Sequence, residues 1–285
     1  YLYRIRLFTR KPLRNMKPKE SRRNIIYYFK VWRQVVRGGL KRSYLYKTDV
    51  LVRVLRTILV LGIQIFFLSI LFGDNELYVG WSKSEAYLVV GIWNLLNYFG
   101  WSLFSTNLLY LESKVLDGKF DYILLKPLSS SWYASFSDFF INNFITAFSG
   151  LILIFYYVIV EFGNISLINI LVGLVAIFIS LLIWYSIYLF FASFTISNPR
   201  NGVLSIAKEL LGLTKYPIDA FGDNLKAIFY TALPIAFLTT IPANIIRGEI
   251  GYGYLVISLG IGLFILLLAK LVWRWNVKKY SSASS

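Results

Sequence analysis

Apolar positions along this chain come in long blocks separated by short polar links. Blocks at about 50–72, 86–111, 132–160, 167–194 and 255–273 each approach or exceed the roughly 20 residues that a helical bilayer crossing needs. Arg53 and Arg56 open the first block, where long side chains reach back to the headgroups. Ahead of it the pattern changes. Ile25, Phe29, Trp32 and Val36 recur at helical spacing, with Arg22, Arg23, Lys30, Arg33 and Arg37 on the other side. A basic face opposite an aromatic and branched one predicts an interfacial helix over 20–37, ended by Gly38-Gly39.

Residues 195–250 are harder to parse. Asn198-Pro199-Arg200 reads as a turn. One reading makes 202–216 a short fifth crossing and lets 222–246 re-enter the membrane from outside; the other makes 225–246 the crossing. Arg200, Lys208, Lys215 and Lys226 favour the second, which keeps all four on one side. Pro217, Pro234 and Pro242 favour the first, because they cut the segment into pieces too short to cross alone. Lys208 and Glu209 are adjacent and point about 100° apart on a helix. In the first reading they lie near membrane depth and line a cavity; in the second they are solvated.

Composition sharpens this picture. The 285 residues are 57% hydrophobic, with a mean hydropathy of +0.61, a balance that belongs in a bilayer. Cysteine and histidine are both absent. Disulfides, thiol nucleophiles, the usual zinc ligands and the usual neutral-pH proton shuttle go with them. The net charge of +16 is concentrated at the start, where residues 1–56 carry seventeen Lys or Arg against Glu20 and Asp49. Such an apron beside a first span is attracted to anionic membrane lipids and argues against nucleic acid as the partner.

The links set an expected orientation. "GDNELYVGWSKSE" and "EFGNIS" are acidic or nearly neutral, whereas the N-terminal segment and "RWNVKKY" are basic. Both termini are therefore expected in the cytoplasm, with an even number of crossings through the cytoplasmic membrane, and six fits best. Translation is expected to start at Met16, the sole methionine, leaving residues 1–15 as an upstream extension. The first 40 residues contain no apolar run of a signal peptide's length. A basic, disordered extension over 1–18, one membrane domain over 19–278 and a tail over 279–285 complete the expected organisation.

The sharpest local chemistry sits in "LDGKFDYILLKPLSS", residues 116–130. Asp117, Lys119, Asp121 and Lys126 offer polar contacts, Phe120 and Tyr122 are aromatic anchors suited to a partner's pocket, and Pro127 stops a helix. An ordinary cytoplasmic turn carries the same residue types.

Three features in order resemble the permease subunits of ATP-binding-cassette transporters, in the type 2 exporter class. These are the basic amphipathic helix, "DGKFDYILLKPLS", and "YPIDAFGDNLKAIFYTALPIAFLTTIPANIIRG"; with the spans between them they cover roughly residues 20–278. In the link, Gly118, Asp121, Leu124, Leu125 and Pro127 match the family's spacing. The resemblance implies an all-α polytopic fold: six transmembrane helices after an interfacial helix, with re-entrant half-helices over 222–246 broken at Pro217, Pro234 and Pro242. It also implies that 116–130, with Asp117 and Phe120, is a coupling helix docking into a separate cytoplasmic ATPase present in two copies. ATP and Mg²⁺ are then expected on that ATPase and no cofactor on this chain, which has no glycine-rich run ending in Gly-Lys-Ser/Thr. A second permease copy or a paralogue would complete the pore, as a homodimer in the first case, and transport would run outward.

Polar residues within the spans are candidates for a substrate path: Asn94, Asn97 and Ser105 in the second, Asp138, Asn142, Thr146 and Ser149 in the third. Bonding between helices is the competing role. Aromatic spans suit an amphipathic or lipid-like cargo without identifying it. Two other classes remain open at this point: a membrane transferase acting on lipid-linked substrates, for which Asp74, Glu76 and Glu85 form no convincing set, and an ion-coupled carrier centred on Asp138. Trp273 and Trp275 read as an interfacial aromatic belt.

Overall fold

A computed structural model of the chain describes residues 25–45, 47–73, 77–231 and 233–281. The expected start at Met16, the extension over 1–18, the first residues of the interfacial helix, and Asp74 and Glu76 lie outside them. The described residues are mostly helical, with a two-stranded hairpin and short irregular links.

Helix α1 spans Ile25–Leu45, so Gly38-Gly39 does not end it. The reason is packing. A Cβ at Gly39 would lie 2.4 Å from the Phe139 carbonyl oxygen, so glycine here lets the helix approach a neighbouring backbone closely. Two further contacts hold α1 to that neighbour. The Ser129 N–H donates to the Tyr28 hydroxyl at 3.1 Å, and Arg42 pairs with Asp138 at 2.9 Å.

Helix α2 spans Lys47–Phe72. Strands β1 (Leu77–Tyr78) and β2 (Trp81–Ser82) follow, antiparallel, with Leu77 opposite Ser82 and Tyr78 opposite Trp81. Their two-residue turn puts Val79 and Gly80 at φ 53° and 78°, the hand that matches strand twist. Ser82 then caps helix α3 (Lys83–Gly100) in a reciprocal box with Glu85.

The expected second and third spans are both interrupted. After α3 comes a π-turn at Trp101–Ser105, then α4 (Thr106–Leu109) and α5 (Leu111–Leu116). The link holds α6 (Phe120–Leu124), and α7 (Ser130–Phe136) is separated by residues 137–140 from α8 (Ile141–Val160). The two interruptions are joined. The Phe140 N–H donates to the Ser102 carbonyl at 3.1 Å, and Asn107 Nδ2 donates to the Asp138 carbonyl at 2.8 Å. A π-turn shifts the helical ladder and releases carbonyls for such neighbours.

Helix α9 (Leu167–Ser197) is the centre of the core, burying Ile183, Trp184, Tyr188, Leu189, Ala192 and Ile196. Helix α13 (Gly253–Lys279) lies along it. Among the described residues, four helices are long and apolar enough to cross a membrane: Val50–Phe72, Ile141–Val160, Leu167–Ser197 and Gly253–Lys279.

The molecule has two polar ends. At the hairpin face, Ser84 donates to Glu161 at 2.9 Å, Arg247 pairs with Glu85 at 2.6 Å, and the Tyr252 hydroxyl donates to Asn169 at 2.6 Å. At the link face, Trp273 Nε1 donates to Ser130 at 3.0 Å and Ser197 to Asn276 at 2.6 Å. Helix α10 (Val203–Leu213) begins just beyond the link-face end of α9. The chain has reached the hairpin face at Asp219, which accepts from Trp81 Nε1 at 3.2 Å.

Helix α11 (Asp223–Tyr230), a 3-10 turn at Ile235–Phe237 and α12 (Thr240–Arg247) follow. Midway, the Phe237 carbonyl accepts from Ser180 at 2.8 Å. Ser180 lies well inside α9, about 20 Å from its start at 1.5 Å per residue. Arg247 then returns to Glu85, so the segment leaves the hairpin face and comes back to it. Pro217 and Pro234 each precede a 3-10 turn. Pro242 is not a break: it sits in the first turn of α12, where its missing N–H has no helical partner to lose.

Candidate functional site

The link from Asp117 to Pro127 is built as a short, outward-facing helix on an internal anchor. Helix α5 ends at Leu116. The Asp117 and Gly118 N–H groups close on Ser113 and Val115 carbonyls, and Gly118 takes φ 69°, the left-handed conformation that ends a helix cheaply only at glycine. The chain turns there into α6.

Within α6 the two aromatics part company. Phe120 is fully buried, edge-on to Tyr280 at 5.0 Å and to Trp273 at 6.2 Å between ring centroids. It anchors the link to α13 and is not available to another protein, contrary to its expected role as a docking anchor. Tyr122 is 69% exposed and Leu125 71%, with Leu124 also exposed. Asp117 forms an exposed ion pair with Lys119 at 2.7 Å. Lys126 and Pro127 are exposed and Asp121 is half-buried at the edge of the same strip. What the link presents outward is thus one aromatic and two leucines framed by charges.

The expected substrate-path residues do not converge. Asn94 is buried and exchanges two hydrogen bonds with Gln64 of α2, at 2.9 and 3.2 Å. Asn97 accepts from Trp101 Nε1 on its own helix at 3.0 Å. Asp138 lies in the interruption before α8, half exposed and paired with Arg42, so it is not at mid-span where a carrier's central carboxylate would be. Asn142 is half-buried at the start of α8, and its carbonyl accepts from Thr146 at 3.3 Å. Ser149 likewise bonds back to the Thr146 carbonyl. The buried serines of α9 at 186 and 193 bond back to carbonyls four residues earlier, which satisfies them inside their own helix, while Ser180 shares its hydroxyl between the Ala176 and Phe237 carbonyls.

Glu85, the one carboxylate of Asp74, Glu76 and Glu85 among the described residues, is held twice, by its cap on Ser82 and by Arg247. Arg247 also lies over the Trp81 ring at 4.2 Å. A carboxylate so engaged is structural.

Four further residues organise the link end and the helix crossings. Gln64 pairs Asn94. Asn107 also accepts from Ser137 at 3.2 Å. Lys114 reaches Ser137 at 3.3 Å; burial pushes its pKa down, and nearby Asp138 pushes it partly back. Gly150 sits against Gly91 at the crossing of α3 and α8. None of the four is among the sequence candidates; Gln64 carries a signal that could have found it, as a lone polar side chain inside "VLGIQIFF". The others take their meaning from neighbours far away in the chain.

Residues 58–284 match the family model described as ABC-2 family transporter protein. The chain belongs to the ABC-2 transporter family. It is a permease, a transporter component with multiple membrane-spanning helices, and permeases of this family typically work with an ATPase subunit. No curated protein matches this ABC-2 permease. The match covers the link, α8, α9, α13 and the broken segment between α9 and α13, and begins within α2; α1 lies ahead of it.

Proposed function

We propose that this ABC-2 permease is the membrane half of an ATP-driven exporter, and that α6 is where a cytoplasmic ATPase docks. The observation that carries the reading is the split within α6: Phe120 locks the helix to Trp273 and Tyr280, while Tyr122, Leu124 and Leu125 face outward at the same end. A partner pushing on that strip acts on α13 through Phe120. It also acts through α5 and α7 on the joined interruptions at 101–105 and 137–140. ATP and Mg²⁺ belong to the ATPase, of which two copies serve two permease subunits, and the cargo is amphipathic or lipid-like.

The proposed topology has six crossings with both termini in the cytoplasm: α2, α3–α4, α8, α9, α10 with its extension to Asp219, and α13. The segment 222–246 is re-entrant. Its support is that Asp219 and Arg247 lie at one face while Phe237 reaches the middle of α9.

Coupling is tested in the assembled complex. Tyr122→Ala with Leu125→Asp should lose cargo-stimulated ATP hydrolysis while the permease keeps its melting temperature; full coupling in this variant would overturn the docking role. Orientation is tested with single cysteines in this cysteine-free chain. A membrane-impermeant maleimide should label Lys226→Cys in intact cells and Tyr122→Cys only after permeabilisation; the reverse pattern would invert the topology.

A further inference from the structure

The hairpin is more than a connector between α2 and α3. With the hairpin-face end of α2 and the chain leaving α10 it encloses a cavity of about 210 Å³. Its walls are aromatic: Phe67 and Phe72 from α2, Tyr78 and Trp81 from the hairpin, Tyr216 and Phe221 from the segment before α11. Between ring centroids, Phe67 lies 6.1 Å from Tyr216 and Phe72 lies 6.0 Å from Tyr78. Among the described residues no charged side chain lines it, and the indole N–H in its wall is spent on Asp219.

Size and depth narrow what fits. Sites for whole small molecules run to about 300–1,000 Å³, so this one takes part of a ligand; an apolar cavity of about 150 Å³ already accepts a benzene ring and stays free of water. Phe67 is about 7.5 Å from the end of α2 at Phe72, and the apolar run Val50–Phe72 is long enough for a hydrocarbon core roughly 30 Å thick. The cavity therefore sits at the level of acyl chains, close to one surface of the bilayer. Phe67 is itself exposed, as are Ile63, Phe66 and Ile70 beside it, so the rim of the cavity is continuous with the side of α2 that faces lipid.

The turn supplies a lid. Val79 lines the cavity and is 50% exposed, so it stands between the cavity and the surface. Its φ of 53° is left-handed, a strained choice for a β-branched residue in a turn that favours asparagine or glycine. Strain of this kind persists where the side chain has a task.

We propose that the cavity binds one acyl chain of a membrane phospholipid, from the leaflet at the hairpin face, with Tyr78 and Val79 closing over it. The chain enters past Phe67 and fills the gap between α2 and residues 216–221, while the headgroup stays at the surface. A site that holds only part of one chain and offers no charge to a headgroup selects no particular lipid. Its occupant is then the hydrocarbon present in greatest excess, which is the bilayer's own. This inference goes beyond the export reading and takes from it only the membrane setting.

The test uses the permease purified with its ATPase and reconstituted in liposomes of phosphatidylethanolamine and phosphatidylglycerol, a small share of the latter carrying a photoactivatable diazirine on one acyl chain. Irradiation should label Phe72 and Trp81, which are buried in the protein, as well as Phe264, which is exposed on α13. Ala220→Trp, at an exposed position on the edge of the cavity, should cut labelling at Phe72 and Trp81 several-fold and leave Phe264 unchanged. Val79→Asn should also lower it, with a melting temperature that holds or rises as the strain is relieved, and this variant decides where Ala220→Trp fails to fold. Labelling confined to Phe264, or labelling at Phe72 and Trp81 indifferent to both substitutions, would overturn the site. Labelling there that requires ATP hydrolysis would give the cavity to the cargo and overturn the resident lipid. Should no ATPase co-purify, the export reading fails by itself, and the permease alone in the same liposomes should still show the labelling pattern.

Discussion

At Gly150 a Cβ would stand 2.5 Å from the Gly91 carbonyl oxygen and 2.6 Å from the Leu95 nitrogen. Both are backbone atoms, so neither can swing aside, and α3 and α8 would have to separate. Gly150→Ala is expected to cost about 1–3 kcal/mol, the usual scale of overpacking, read as a lower melting temperature in detergent. Gly62→Ala, in open space, should not lower it. A second residue-scale outcome concerns protons. Burial holds the Lys114 pKa below its usual value, so in the window between that lowered value and about 10.4 the unfolded chain binds more protons than the folded one. Stability contributed by this group therefore rises with pH across the window. Lys114→Met should flatten the rise in melting temperature measured there, and Asp138→Asn, which removes the opposing charge, should widen the window downward.

Helix α6 shows how one element divides its labour. Phe120 and Tyr122 are two residues apart and of one chemical type, yet one is fully buried and the other 69% exposed. Phe120→Ala empties a packed site between Trp273 and Tyr280 and should cost about 3–5 kcal/mol. Tyr122→Ala should leave the melting temperature nearly unchanged and lower ATPase coupling. Comparing thermal melts with ATP hydrolysis in the complex separates the two. The sequence marked this link through its glycine, leucine pair and proline, but it did not distinguish the two aromatics. The distinction depends on where α13 ends, some 150 residues later. The same limit explains the spans. Apolar length marked blocks at 50–72, 167–194 and 255–273, which coincide with the long helices Val50–Phe72, Leu167–Ser197 and Gly253–Lys279 to within a turn or two at their ends. It carried straight through 101–105 and 137–140, because composition does not register a shifted ladder or a break satisfied by another segment's carbonyl.

Across the whole molecule, the hairpin face is tied together by Arg247, which pairs with Glu85, stacks over Trp81 and closes the segment that reaches Ser180. Both partners of the ion pair are largely shielded, with side-chain exposures of 12% and 18%. Arg247→Met would leave Glu85 shielded without its countercharge, an expected loss of about 3 kcal/mol. Glu85→Gln in the same chain should recover part of it, which a double-mutant cycle of thermal melts would measure. By itself the sequence determined the membrane setting, the basic apron, the order of apolar blocks and links, the breaks at Pro217 and Pro234, and the family resemblance. These depend on local composition and on helical periodicity, both of which survive in one dimension. Only the tertiary structure decided that Gly39 and Gly150 are contact points, that Asn94 is spent on Gln64 and Asp138 on Arg42, and that Phe120 is an anchor. Those roles are set by which atoms lie within a few ångströms, and packing brings together residues that the chain keeps 30 to 160 positions apart.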